Sequence, residues 1–214
     1  AHVRAGRHPR QAHRKELGRQ MTVKPLRIEV VGSHSVGKSV LVRHIAKAYG
    51  LPILDEIARI EIAKMGGGFD KLRTDLDAVT RFQKNVFHAQ IRAVQGVKRY
   101  VSDRAFDNVA YAAENAACGT AAAMWRSPAC RRYVRGIADT VRRCEGAVFF
   151  VRPGVALARD GVRAEGDLDE AGVLLIDGMV KLLLELGDVP YVPIRTTNFQ
   201  ERAAIVAGVL RGLL

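Results

Sequence analysis

Gly32-Ser33-His34-Ser35-Val36-Gly37-Lys38-Ser39 fits the pattern G-x-x-x-x-G-K-[ST]. It stands between the apolar run Leu26-Arg27-Ile28-Glu29-Val30-Val31 and the helix-like Val40-Leu41-Val42-Arg43-His44-Ile45-Ala46. A glycine-rich turn that leads from a buried strand into a helix is a phosphate-binding loop in the setting its chemistry requires. Glycines let the backbone turn tightly and aim amides at phosphate oxygens, and the helix start adds partial positive charge. The pattern assigns Lys38 to the β- and γ-phosphates and the Ser39 hydroxyl to Mg²⁺. Nucleotide contacts are expected along Gly32, Ser33, His34, Ser35, Val36, Gly37, Lys38, Ser39 and Val40. The competing account, a strand-to-helix turn that binds nothing, does not explain why Lys and Ser fall in register behind the second glycine.

Working outward from the loop, apolar runs alternate with helical patterns, the signature of a parallel sheet covered on both faces. Strands are expected at Leu26–Val31, Pro52–Leu54, Tyr100–Ser102, Ala147–Val151 and Val189–Ile194. Helices are expected at Ser39–Tyr49, Glu56–Met65, Leu76–Gln95, Phe106–Cys118, Ala129–Arg143, Glu170–Leu186 and Gln200–Leu213. Gly66-Gly67-Gly68 separates the second helix from the third. In the third, Val79, Phe82, Val86, Phe87, Ile91 and Val94 recur at three- and four-residue steps and mark a core-facing stripe. A chain of 214 residues suits one α/β domain better than two. The expectation is an α/β P-loop NTPase domain over residues 25–214, with a five-stranded parallel sheet sandwiched by helices.

Ligands of parallel α/β sheets gather beyond the carboxyl ends of the strands. Tyr100-Val101-Ser102-Asp103-Arg104 ends such a strand in a carboxylate and a guanidinium. Asp103 is therefore expected near the triphosphate, holding Mg²⁺ or its water, and Arg104 at a phosphate or the acceptor. The plainer reading is a helix-capping Asp beside a solvated Arg. On the same edge, Glu56 is a candidate to orient or deprotonate an attacking hydroxyl, with Asp55 as its rival and Arg59 as an anion contact. Acids placed for the helix dipole are the alternative. Arg159 and Arg163 lie in a loop over residues 152–169 that reads as a lid closing over transferring phosphates; a polar surface loop accounts for the same spacing. Trp125, Tyr111 and Phe82 are expected in the core rather than stacked on a ligand ring.

The first 24 residues carry seven basic side chains and one acid, Glu16, and read as a basic extension or as a stretch preceding a start at Met21. The formal charge is +12, and +6 remains from Pro25 onward. A basic balance suits a polyanion such as nucleic acid, and a site rich in phosphate-contacting arginines gives the same sign. No uncharged run approaches the ~18 residues of a membrane helix, so no membrane partner is expected. Cys118, Cys130 and Cys144 match no zinc or redox spacing and are expected as reduced thiols in a cytoplasmic protein.

Four segments occur in one order: the phosphate loop, Glu56-Ile57-Ala58-Arg59, Ser102-Asp103-Arg104-Ala105-Phe106-Asp107-Asn108-Val109-Ala110-Tyr111, and Arg159-Asp160-Gly161-Val162-Arg163. Together they resemble the P-loop kinases and ATPases typified by the nicotinamide riboside kinase domain, over about Leu26 to Leu214. The Asp103–Tyr111 segment is also similar to the Asp-Arg region of thymidylate kinases. The resemblance implies Mg²⁺- and ATP-dependent phosphoryl transfer to a nucleoside, nucleotide or related small molecule. Two other readings stay open at this point: a kinase acting on DNA or RNA, and a nucleotide-dependent ATPase or switch without a small-molecule acceptor.

Overall fold

The computed structural model describes residues 24–54, 57–64, 75–154 and 170–214, apart from the side chain of Arg59. In chain order the elements are β1 (Leu26–Val31), α1 (Lys38–Tyr49), β2 (Ile53–Leu54), α2 (Ile57–Lys64) and α3 (Leu76–Val94). They continue with β3 (Arg99–Asp103), α4 (Asn108–Asn115), α5 (Thr120–Arg126), α6 (Pro128–Arg142), β4 (Gly146–Val151), α7 (Glu170–Leu186), β5 (Val192–Ile194) and α8 (Phe199–Arg211). The five strands form one parallel sheet in the order β2-β3-β1-β4-β5, which is the fold class expected.

Sequence patterning explains the layers. Every residue of β4 is buried, as a central parallel strand covered on both faces must be. Its side chains alternate between two cores. Phe149 packs with Ile28, Leu41, Ile45, Val206 and Leu210, whereas Phe150 packs with Phe87, Phe106, Ile176 and Leu184. The stripe on α3 is core-facing as expected but divides: Phe87, Ile91 and Val94 face the second core, whereas Val79, Phe82 and Val86 pack with Ile57, Ala58 and Ile62 of α2, and Gln83 and Gln90 are buried among them.

Most boundaries shift by one or two residues from the sequence expectation, and the larger differences have local reasons. β5 begins at Val192 rather than Val189, because the Val189 amide donates to the Leu184 carbonyl and Asp188, at φ 49°, closes the end of α7. The helix expected to reach Cys118 stops at Asn115, where Ala116 turns extended. The following Ala121-Ala122-Ala123 belongs to a separate short helix, α5, which starts after Gly119 at φ 83°. Ser127 then caps α6 and Pro128 occupies its first turn, where a missing N–H costs nothing.

Several charged groups are buried in this domain, and Glu29 lies deepest among the strands. Glu29 on β1 accepts a hydrogen bond from the Tyr100 hydroxyl at 2.6 Å and is 2% exposed. Burial pushes its carboxyl from the ordinary value near 4.5 up to about 8, against the opposing hydrogen bond from Tyr100. A raised pKa means that the fold holds a proton the unfolded chain has released. Stability from this group is therefore fully present below about pH 4.5 and declines as pH rises through about 8. Chemical denaturation across that interval is expected to show a shallower decline in Glu29→Gln than in the parent chain. Parallel profiles would contradict the assignment.

Candidate functional site

β1 ends at Val31, and the chain turns at Gly32 with φ 145°. The turn needs glycine, since a Cβ there would lie 2.4 Å from the Val151 carbonyl oxygen on the neighbouring strand β4. Ser35 (φ 53°) and Gly37 (φ 88°) are also left-handed. Loops of this kind gather amides into a concavity suited to anions. α1 then starts at Lys38 with no side-chain cap and no acid in its first turn, so its leading amides and dipole face the loop without internal compensation. Gly32→Ala is expected to cost about 1–3 kcal/mol through strain and the clash with β4. Thermal unfolding checks this, and an unchanged midpoint would contradict the close approach.

Lys38 and Ser39 project into this loop. Lys38 is 6% exposed, and its ammonium donates to the carbonyls of Gly32, at 3.0 Å, and Ser33. The Ser39 hydroxyl donates to Asp103 Oδ2 at 2.5 Å. β3 is the direct neighbour of β1, with Asp103 opposite Val30, so the end of one strand and the start of the helix after the other are brought together. A serine hydroxyl and a carboxylate, both hard oxygen donors, converge beside a concavity of amides. This donor set fits a divalent cation bound jointly by protein oxygens and phosphate. Among the described residues no cluster of three or more His, Cys, Asp and Glu gathers.

Behind the loop lies a buttress of Asp107, Tyr111, Arg104 and Arg202, of which the sequence assigns a functional role to Arg104 alone. Asp107, fully buried, accepts from the Ala105 amide at 2.7 Å and faces the Gly32 amide. Burial pushes its carboxyl up, and Arg104 and Lys38 oppose that shift. The Tyr111 hydroxyl donates to the Gly32 carbonyl at 3.0 Å, and His34 stacks edge-on against its ring, with centroids 4.6 Å apart. Arg104 lies over the same ring at 4.1 Å and has one guanidinium nitrogen 4.0 Å from Asp107. Its backbone, at φ 99°, is strained for a non-glycine residue, and its carbonyl is clamped by Ser102 Oγ and Gln90. On the other side, Arg202 of α8 donates to the Val36 carbonyl at 2.6 Å and to the Thr196 carbonyl at 2.7 Å. One sequence signal marks Arg202: it occupies the apolar stripe that continues through Val206 and Leu210.

The remaining expected residues fall elsewhere. Val40 is exposed on the first turn of α1. Asp55, Glu56, the Arg59 side chain, Arg159, Arg163 and most of the expected lid lie outside the described residues, as does the basic extension before Lys24. Arg152, at the lid's start, pairs with the buried Asp177 of α7 at 2.6 Å and lies over Phe150. Tyr111 and Phe82 are buried, and Trp125 packs against the core.

A family profile described as AAA domain matches residues 27–202. No curated protein matches the chain. Among solved structures, deoxyadenosine kinase from M. mycoides, with dCMP and dCDP bound, is similar with a TM-score of 0.60 at 15% identity, covering 88% of this chain and 100% of that one. Shikimate kinase from Acinetobacter baumannii, in complex with shikimate, gives 0.55 at 16%, covering 89% and 95%. NadR protein in complex with NR gives 0.58 at 17%, covering 81% of this chain and 46% of NadR, so the chain spans about half of NadR's length. With the profile spanning the loop, Asp103 and Arg202, the chain belongs to the AAA domain family and is built on the fold it shares with deoxyadenosine kinase and shikimate kinase.

Proposed function

We propose that this protein is a magnesium-dependent kinase that transfers the γ-phosphoryl group of ATP to a hydroxyl of a nucleoside, nucleotide or related small molecule. The observation that carries this reading is the hydrogen bond from Ser39 to Asp103 across the mouth of the phosphate loop. It unites a metal-ligating hydroxyl and a strand-end carboxylate beside Lys38, as phosphoryl transfer by positioning and charge stabilisation requires. The small-molecule kinases of like fold support the acceptor class.

Bound Mg²⁺ would neutralise charge on the β- and γ-phosphates. The chain's own groups do the rest. Loop amides from Gly32 to Ser39 hold the phosphates, and Lys38 offsets charge on the transferring oxygens. Ser39 and Asp103 hold the cation, directly or through water. Asp107 and Tyr111 fix the Gly32 peptide, and Arg202 fixes the Val36 peptide, so the loop keeps its shape under load. Arg104 stiffens the Asp103 turn from its place over Tyr111. Glu56 orients the acceptor hydroxyl, and Arg159 and Arg163 close over the phosphates. The thiols Cys118, Cys130 and Cys144 are all free, which suits action in the cytoplasm, and no helix among the described residues is long and apolar enough to cross a membrane.

ADP formation should rise at least tenfold when one nucleoside or nucleoside monophosphate from a panel is added to enzyme, ATP and magnesium. Hydrolysis indifferent to every acceptor would instead favour an ATPase.

A further inference from the structure

On the far edge of the sheet from the phosphate loop, a cavity of about 340 Å³ opens between α3 and α6 over the first halves of β1, β3 and β4. Its volume falls in the ~300–1,000 Å³ range of small-molecule sites. Ile91, Val94, Ile137 and Val148 give it apolar walls, while Glu29, Tyr100, Tyr133, Arg27 and Arg132 supply its polar groups. We propose that this cavity binds a small carboxylate with a compact apolar body, at a site separate from the nucleotide.

Three observations converge on that class. First, buried polar atoms around the cavity lack partners among the described residues: Glu29 Oε2 and Arg27 Nε have none, and the Tyr133 hydroxyl approaches the Gln90 amide without closing a hydrogen bond. Leaving such groups unsatisfied is costly, so a ligand that pairs with them is favoured. Second, these groups offer donors. The Tyr100 hydroxyl already occupies Glu29 Oε1, and burial keeps the Glu29 carboxyl protonated at neutral pH, so its free oxygen presents an O–H. Arg27 Nε–H and the Tyr133 O–H complete a set matched by the lone pairs of a carboxylate. With Glu29 neutral, Arg27 and Arg132 leave the lining positive, and Arg131 and Arg135 are exposed on the same helix. The Asp107 carboxyl, buried behind the phosphate loop, is the other acid that Glu29 feels, and it reinforces the neutral form of Glu29.

Third, Gly136 stands in the middle of α6, where glycine costs about 1 kcal/mol relative to alanine. It has no positive φ, and a Cβ there would meet nothing within 4 Å. Neither backbone conformation nor neighbouring atoms require glycine at this position. Gly136 lines the cavity, and its missing side chain widens it.

Calorimetric titration of the full chain at pH 7 with 3-phenylpropionate and 4-methylvalerate tests the proposal, with 3-phenylpropanol and 3-phenylpropylamine as neutral and cationic counterparts. At least one carboxylate should bind saturably, one per chain, and the alcohol and amine at least tenfold more weakly. Gly136→Met, which fills the cavity without approaching the phosphate loop, should weaken the carboxylate at least tenfold while the melting midpoint holds or rises. Tyr133→Phe, which removes a single hydroxyl, should weaken it several-fold and separates loss of the site from disturbance of the helix. No saturable binding of either carboxylate, an amine that binds as tightly, or undiminished binding in both variants would overturn the proposal.

Discussion

Lys38→Ala is expected to lower triphosphate turnover at least ~10²-fold, the scale on which a single preorganised charge donor at a transition state acts. The ammonium lies at the centre of the loop, fixed by the carbonyls of Gly32 and Ser33. Alanine preserves the helix start, since its helix propensity is the highest of any residue. It removes the one cation on the loop itself that can follow charge as it moves onto the leaving oxygen. The side chain is buried, so some stability is lost with its two hydrogen bonds, each worth about 1 kcal/mol. Steady-state turnover and far-ultraviolet circular dichroism on the same preparation separate the two effects. A folded variant with full activity would remove Lys38 from the chemistry.

Asp103→Asn is the second large effect. Asparagine keeps the shape and can still accept the Ser39 hydrogen bond, so the 2.5 Å contact is not the quantity under test. What disappears is one negative charge at a cation site. The concentration of magnesium that half-saturates turnover should rise at least tenfold, with a fall in the maximal rate. Because Ser39 and Asp103 act on one cation, Ser39→Ala combined with Asp103→Asn should cost much less than the product of the separate losses. Unchanged magnesium dependence and unchanged rate in Asp103→Asn would place the cation elsewhere.

The sheet was legible because its signals are local. β1 and β4 are short apolar runs bounded by breakers, and the phosphate loop dictates its own setting between a strand and a helix. Asp103 and Ser39, 64 positions apart, meet because strand ends in a parallel sheet share one edge. Contacts fixed by tertiary packing were harder to read. Arg202, Asp177 and Glu29 are charged residues on faces that are otherwise apolar, and average patterning hides them: the stripe Val173, Asp177, Val180, Leu184 still reads as core. Asp107 and Tyr111 stood within a recognised segment, yet their link to Gly32 depends on how α4 packs behind the loop. Arg104, which the strand-end position suggests for a phosphate or the acceptor, has a positive φ of 99°, packs on Tyr111 and holds one guanidinium nitrogen 4.0 Å from the buried Asp107, contacts that no local pattern announces.

The most direct test of the proposed chemistry follows the γ-phosphate itself. ATP labelled at that position is incubated with the full chain, magnesium and a panel of nucleosides, nucleoside monophosphates and oligonucleotides. The account predicts that label appears on one small acceptor, only with magnesium, and not in Lys38→Ala. Label recovered solely as inorganic phosphate, or on the oligonucleotides alone, would contradict it.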